Sequence, residues 1–463
     1  MNKNYKQLTR TKKYKKLLEL YGKAEKKEKK NIALQLNDMQ KQYNVTWDFC
    51  RKSMIPIGKK YGIESIFALT RAEDVWRGLE KCLYQEGKRL HFSKRGDLPC
   101  IRAKQMNRGI VISNVDNKLR FKFNGIQFGI LIKDRFEREE VEAILHYLNN
   151  ADEIDSKAAN GFCENTYRPC YASIVCKNIR GKLRVYVHIT VEGSTKPKYD
   201  RYGNKKHRLG KGIVGCDIGT QTIAYTSDME VGLKNLAERG SSISKNERRE
   251  RLLYRAMDRS RRANNPDNYN EDGTIRKGRK KWINSNRYRK LRKKHKELCR
   301  VNAINRHLSI HEDINHIRSL GDVFVTEVKN AKKLQKRDKN GKKRFGKSIK
   351  NRCCGYFQQQ AEYKFKTYIE VSNEYRASQY DHTADEYIKK KLSQRMYKLG
   401  DGTIVQRDWY SSYLLYCIDL ETGKIDKNKC INLFKEQYAK EKDIIEKIKK
   451  NRIKVLNSGI RIS

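Results

Sequence analysis

Three carboxylates stand out in a chain crowded with lysine and arginine. Asp217 lies in "GKGIVGCDIGTQTIAYTS", where a short apolar strand (Ile213, Val214) runs into Cys216-Asp217, a glycine turn and a second strand (Ile223, Ala224, Tyr225). Glu327 ends the apolar run "GDVFVTE". Asp408, in "GDGTIVQRDWYSSYLLYCIDL", opens a segment whose Tyr413, Leu414, Tyr416 and Cys417 form a helical apolar face. Each acid alone is better explained as a helix cap or as the partner of a nearby lysine. Three in matching contexts, dispersed in sequence and delivered to the edge of one sheet, suit a pair of divalent cations about 3.5–4 Å apart. An all-oxygen donor set favours Mg²⁺ or Mn²⁺ over zinc. The chemistry expected of two such ions is phosphodiester hydrolysis, one activating water and the other stabilising the leaving 3′-oxygen.

The elements that must carry these acids follow from periodicity. Residues 5–92 read as helical, with "YKKLLELYGKAEKKEKKNIALQLNDMQKQYNVTWDFC" and "RAEDVWRGLEKCLYQEGKRL" alternating charged and apolar positions. Over 98–195 the period shifts toward two, predicting hairpins in "GIVISNVDNKLRFKFNGIQFGILI" and "YRPCYASIVCKNIRGKLRVYVHITVEG" with Asn-Gly and Arg-Gly turns, interrupted by a helix "REEVEAILHYLNN". A small barrel or sandwich is expected there. A polar linker, "STKPKYDRYGNKKHRLGKG", leads to Asp217. Long basic helices follow, "SKNERRERLLYRAMDRSRR" and "RKKWINSNRYRKLRKKHKELCRVNAINRHLSIHEDINHI", joined by the loop "ANNPDNYNEDGTIRKG"; Leu298, Val301 and Leu308 are expected on the buried face of the second. After Glu327 come a basic loop "KNAKKLQKRDKNGKKRFGKS", a helix "RCCGYFQQQAEYKFKTY", a strand "YIEV", the Asp408 segment and a basic helical tail.

Charge points to the partner. Of 463 residues, 104 are Lys or Arg and 54 are Asp or Glu, a formal net charge of +50 spread along the chain and mixed with 27 Tyr, 13 Phe and 4 Trp. Self-repulsion of that size is relieved by a polyanion, and nucleic acid matches both features, since phosphates pair with cations while bases stack on aromatics. The densest candidate surface is the basic helical pair: Arg259, Arg261, Arg262, Lys280, Lys281, Trp282, Arg287, Arg289, Lys290, Arg292, Lys293 and Lys296. No run approaches the roughly 18–20 apolar residues of a membrane span, and the first residues lack the apolar core of a signal peptide. A cytoplasmic, nucleoid-associated prokaryotic protein with reduced cysteines is expected. None of the 12 cysteines forms a C-x-x-C pair, and Cys163, Cys170 and Cys176 are too loosely spaced for a zinc site, so buried free thiols are expected.

Two readings compete for the Asp217 hairpin. "GCDIGT" also resembles the first phosphate-binding hairpin of sugar-kinase, actin and Hsp70-type ATPases. Those need a second Asp-x-Gly hairpin and a glycine-rich adenosine loop. Here the later "DGT" stretches, at Asp272 and Asp401, sit in polar loops and no Gly-Gly pair follows. The three acids in this order, with basic helices between the first two, instead resemble the split RuvC nuclease domain of TnpB-like transposon-encoded proteins and of the compact type V CRISPR effectors related to them.

That resemblance implies an α+β multidomain protein. A helical recognition lobe would span 1–95, a β-rich wedge-like, oligonucleotide-binding-like domain 96–200, and an α/β RNase H-like (RuvC) nuclease domain 201–463. Its motifs would lie near 212–227, 321–328 and 402–418, with a helical insertion at 240–318. It implies an RNA-guided DNA endonuclease with Asp217, Glu327 and Asp408 as catalytic residues and ligands of two Mg²⁺ or Mn²⁺ ions. Its partners would be a CRISPR or transposon-end guide RNA and double-stranded target DNA with one strand displaced, beside a short motif read by the protein. The alternatives are a repressor-like guided binder with weak or no cleavage, and an unguided RuvC-fold resolvase, which would need less basic surface.

The sequence departs from the family in two places. "EVSNEYRASQYDH" keeps the motif positions Tyr375, Ser378 and Gln379, but no cysteine follows until Cys417, so region 380–407 reads as a degenerate zinc ribbon and zinc is not expected there. His382 with Asp381 and Asp385 reads as a solvated polar loop. The usual D-x-N-A-A is D-W-Y-S-S at Asp408 to Ser412, where Ser411 and Ser412 keep small residues for close packing.

Overall fold

In a computed structural model the chain divides into two compact units, 1–197 and 198–463. The structure describes residues 2–84, 87, 90, 100–133, 135–157, 166–194, 199–200, 202–238, 242–328, 345–372, 374–391 and 393–462. Cys163, the end of the first predicted helical stretch, part of the polar linker and most of the basic loop after Glu327 lie outside these residues. The fold is mixed, with helices and several separate sheets.

The first unit begins with helices α1 (Asn2–Arg10), α2 (Lys12–Lys23), α3 (Lys26–Gln42), α4 (Trp47–Lys60) and α5 (Ser65–Tyr84). Their apolar stripes meet in one core, Leu8, Tyr14, Leu17, Leu36, Met39, Cys50, Ala72 and Leu79 among them. Among the described residues the β-rich part forms two antiparallel sheets of three strands each. One, in order β1-β5-β6, holds β1 (Cys100–Arg102), β5 (Thr166–Ile179) and β6 (Lys182–Ser194). The other, in order β2-β3-β4, holds β2 (Ile110–Val115), β3 (Lys118–Phe123) and β4 (Ile126–Gly129). Helices α6 (Arg135–Asn149) and α7 (Ala151–Lys157) lie between β4 and β5 in sequence, and Ile112, Phe121, Ile144 and Ile174 share one core across both sheets and α6. The Asn124-Gly125 and Arg180-Gly181 pairs make the expected turns. All four residues have φ between 49° and 79°, as two-residue hairpin loops require.

The second unit is built on a five-stranded sheet in the order β11-β10-β7-β8-β9. Strands β7 (Ile213–Ile218), β8 (Thr222–Thr226) and β9 (Val231–Asn235) form an antiparallel meander; β10 (Val323–Glu327) and β11 (Thr367–Val371) add to β7 in parallel. A parallel partner for β7 needs a long crossover, and the basic helices α8 (Ser242–Ala263) and α9 (Asn286–Arg318) occupy it. Helices α10 (Gly346–Arg352) and α11 (Cys354–Lys364) connect β10 to β11. Two short hairpins follow, β12 (Tyr380–Asp381) with β13 (Glu386–Tyr387) and β14 (Met396–Lys398) with β15 (Ile404–Gln406). Helices α12 (Arg407–Tyr416) and α13 (Lys427–Lys450) complete the unit.

Period-two alternation divides the sheet between two cores. Val214, Cys216, Ile218 and Phe324 face one side, against Ile310, Ile314 and Ile317 of α9 and Phe357 and Ala361 of α11. Val325 and Val371 face the other side with Trp409, Tyr410, Tyr413 and Leu414 of α12. The buried face of α9 uses Leu298 as expected, but Leu308 is exposed: burial turns instead through Asn302, Ser309, Ile310, Ile314 and Ile317. Helix α9 also starts later than expected, where Ser285 caps it by accepting from the Tyr288 amide; Lys280, Lys281 and Trp282 therefore belong to the preceding loop.

Candidate active site

Asp217 is in the last turn of pleat of β7, and Glu327 is the last residue of β10. The parallel register pairs Thr326 with Cys216, so the next residues along, Glu327 and Asp217, are neighbours across strands about 4.8 Å apart. By alternation both belong to the sheet face that carries Val323 and Val325, the face covered by α12.

The direction of α12 is fixed by its contacts. Ser412 Oγ is 2.8 Å from Thr226 Oγ1, and Thr226 pairs with Gly215. The Tyr416 hydroxyl, one turn on, donates to Asp228, beyond the start of β7. The helix therefore runs antiparallel to β7, and its first turn, with Asp408, points toward the end where Asp217 and Glu327 lie. Glycine at 215 permits this approach: a Cβ there would sit 2.7 Å from the Leu415 carbonyl carbon and collide with Tyr416 N and Ser412 O. Ser411 and Ser412 are both buried, Ser412 against the Thr226 hydroxyl of β8 and Ser411 donating to Arg407 O of its own helix.

Asp217 and Glu327 thus lie together at the C-terminal ends of two inner strands, on the face that α12 covers, and Asp408 sits in the first turn of that helix toward the same end. They do not form a compact trio: among the described residues, the one group of three or more His, Cys, Asp or Glu with ligand atoms within 4.8 Å of one another is Glu250, His295 and Cys299. Asp408 is 9 % exposed and pairs with Arg395 Nη1 at 3.5 Å. Arg395, on the segment before β14, has no sequence signal that would have singled it out. The start of α12 is held by Gln406, whose side-chain carbonyl accepts from Trp409 N at 2.7 Å and whose amide group donates to Ser458 O at 3.2 Å. The Gln406 backbone N–H donates to Glu441 Oε1 on α13 at 2.9 Å. Burial pushes the Glu441 carboxyl up to about 7, against the lowering effect of that hydrogen bond.

Asp381 and His382 are not in a solvated loop, though Asp385 is exposed. Asp381 is fully buried, and its carboxylate accepts from the Thr383 amide and hydroxyl and from Gly400 N. Burial works to raise the Asp381 carboxyl, but these bonds hold it below the usual range. His382 is buried, with Nδ1 2.7 Å from the Tyr410 hydroxyl; burial lowers its pKa despite Asp381 and Asp401 nearby. Asp385 pairs instead with Lys427 at 2.7 Å. His382 ties this segment to Tyr410 of α12 and Asp381 bonds within it, which composition alone does not reveal, while Asp385 stays exposed. Tyr375, from the family-like motif, is buried and donates to Leu414 O of the same helix.

Most of the predicted nucleic-acid residues are exposed: Arg259, Arg262, Lys281, Arg287, Arg289, Lys290, Arg292, Lys293 and Lys296. Lys280, Arg261 and Trp282 are half-buried. The structure brings the loop end of α8 and the start of α9 into one stacked series. The Arg261 guanidinium lies 3.7 Å over Trp282 and 5.8 Å from the Tyr288 ring; Arg262 is 5.1 Å from Tyr269, which meets Trp282 edge-on at 5.8 Å. Arg261 thus covers one face of the Trp282 ring. The loop is fastened by Asn265, which donates to Arg261 O and Ile283 O and accepts from Ile283 N.

All eleven described cysteines are free; Cys50, Cys216, Cys354, Cys417 and Cys430 are buried and the others half-buried. Among the described residues no helix is long and apolar enough to cross a membrane. No protein-family model matches the chain, and no curated protein does. Among solved structures, the "Cryo-EM structure of CRISPR-Cas12f Ternary Complex" is similar at 12% identity over 90% of this chain and 80% of that chain, with a TM-score of 0.28, too low a likeness to carry a statement about this chain.

Proposed function

We propose that the chain is an RNA-guided DNA endonuclease whose second unit is a RuvC-type, RNase H-like nuclease domain. The observation that supports this reading is that Asp217 and Glu327 are cross-strand neighbours at the ends of two inner strands, on the face covered by the helix whose first turn holds Asp408. An all-carboxylate donor set fits hard divalent ions, so Mg²⁺ or Mn²⁺ would be held by these three residues. Held there, such ions would supply the activation of a water and the charge stabilisation of the leaving oxygen that phosphodiester hydrolysis needs. The chain's own part is positional. The β7–β10 register sets Asp217 beside Glu327, while Gly215, Gln406 and Arg395 set the height and orientation of the turn bearing Asp408.

Guide RNA and target DNA are the proposed partners, drawn by the +50 charge and the exposed arginines and lysines of α8 and α9. Sequence would be read by base pairing and the protein would contribute backbone contacts. The test is plasmid cleavage in Mg²⁺ or Mn²⁺ by protein purified with its RNA. Asp217→Ala and Glu327→Ala should each abolish cutting and leave RNA-directed DNA binding intact. Cleavage that survives both substitutions removes the site assignment. RNA retention with no cutting by the unaltered protein replaces the nuclease with a guided binder.

A further inference from the structure

Away from these strand ends, α8 and α9 are joined by a second cluster of groups with ligand chemistry. Glu250 projects from α8, and His295 and Cys299, four residues apart, share one face of α9. Glu250 Oε1, His295 Nε2 and Cys299 Sγ form a triangle with edges of 3.5 Å (O to N), 3.5 Å (N to S) and 3.9 Å (O to S). All three residues are half-buried, and Tyr254 packs on the imidazole at 4.4 Å between ring centroids.

We propose that Glu250, His295 and Cys299 form a binding site for a zinc-class divalent transition metal, three protein ligands with a fourth position open, which pins α8 to α9. Zinc bonds of about 2.3 Å to sulfur and 2.0–2.2 Å to nitrogen and oxygen, at tetrahedral angles, place donor atoms about 3.3–3.6 Å apart. The observed edges are close to that spacing. The His295 to Glu250 edge is long for an N–H to carboxylate hydrogen bond, which closes to about 2.7–3.2 Å, while the two sulfur edges are also in range of weak S–H hydrogen bonds. The mixture of thiolate, imidazole and carboxylate selects zinc, cobalt or a similar ion over magnesium.

An ion entering this site would have to displace a proton from it. Burial and the nearby Glu250 carboxylate raise the Cys299 thiol, partly offset by Lys350 and Arg306, so in the metal-free cluster the proton stays on sulfur. A divalent ion turns that repulsion into attraction: the thiol proton leaves to solvent as the sulfur–metal bond forms. Lys350, whose Nζ lies 3.5 Å from Glu250 Oε1, is the cation that such an ion would compete with. The site would clamp the hairpin whose far end carries the Arg261, Trp282 and Arg262 stack. It is independent of whether the carboxylates at the strand ends cut DNA.

The test is titration of the full-length, chelator-treated protein with cobalt(II), followed by displacement with zinc(II). The proposal expects one equivalent per chain giving a sulfur-to-cobalt charge-transfer band with tetrahedral visible absorption, both removed by zinc. Cys299→Ser should lose the band. His295→Ala should weaken binding by more than the roughly 10–100-fold that loss of an outer-shell partner costs. Cys170→Ser, in the other unit, should titrate as the unaltered protein does. Glu250→Gln, which preserves shape, should keep the band at reduced affinity, and guards against a Cys299 variant that fails to fold. Absence of the band in the unaltered protein, or its persistence in Cys299→Ser, overturns the site.

Discussion

Glu441 is a carboxyl group placed where water cannot solvate its charge. It is 3 % exposed, and the N–H it accepts from belongs to Gln406, the residue that also caps the Asp408 helix. Its pKa, raised by burial to about 7 from 4.5, means that between those values the folded chain holds a proton that the unfolded chain has lost. Stability therefore falls as pH rises through that window and levels off above it. The full excursion corresponds to roughly 3 kcal/mol. The melting temperature of the protein should thus decrease from pH 5 to pH 8, by about 2–4 °C for each kcal/mol. Glu441→Gln keeps an acceptor for the Gln406 N–H and has no charge to bury, so it should flatten this component. Parallel pH series of the two proteins by scanning calorimetry check the outcome; identical slopes would remove Glu441 as the cause.

At the scale of elements, the seating of α12 on β7 is the joint on which the placement of the carboxylates depends. Its tolerance is set by one missing side chain, at Gly215. Gly215→Ala pushes on helix backbone, which cannot rotate away as a side chain would, so a cost of about 3 kcal/mol, the upper end of overpacking, is expected. Thermal melting should show that loss, and cleavage should fall with it even though every acid is retained. The strands bearing Asp217 and Glu327 were legible because short apolar runs bounded by glycine and charge have few other structures open to them. The α12 helix was legible from its apolar face, and the hairpins from Asn124-Gly125 and Arg180-Gly181. Other features were written in tertiary contacts alone. Arg395 meets Asp408 across thirteen residues, Glu441 meets Gln406 across 35, and Asp381 and His382 are buried by neighbours that composition does not name. His295 and Cys299 lie four residues apart, but a lone His and Cys at helical spacing carry no expectation of a metal. The third member, Glu250, lies on another helix, and the triangle exists only once α8 packs on α9.

For the molecule as a whole, a net charge of +50 makes association with a polyanion a matter of released counterions as much as of contacts. Binding to single-stranded or duplex nucleic acid should weaken steeply as salt rises, linearly in log–log form, with a slope that counts the phosphates engaged. The exposed residues of α9 divide that count. Arg287, Arg289 and Lys293 are exposed on its first two turns, with room to reach phosphates. Replacing all three by Ala should lower the magnitude of the slope by about one for each residue that contacts a phosphate. Trp282 belongs to a different term. One face of its ring already carries Arg261 at 3.7 Å, so at most one face is open to a base, and its role in the stack is also structural. Trp282→Ala should therefore reduce affinity by about 1–3 kcal/mol with the salt slope unchanged. Fluorescence anisotropy across a salt series separates the two variants. A triple variant with the parental slope would place the phosphate path away from α9, and a changed slope in Trp282→Ala would mean that losing the ring releases the arginines around it.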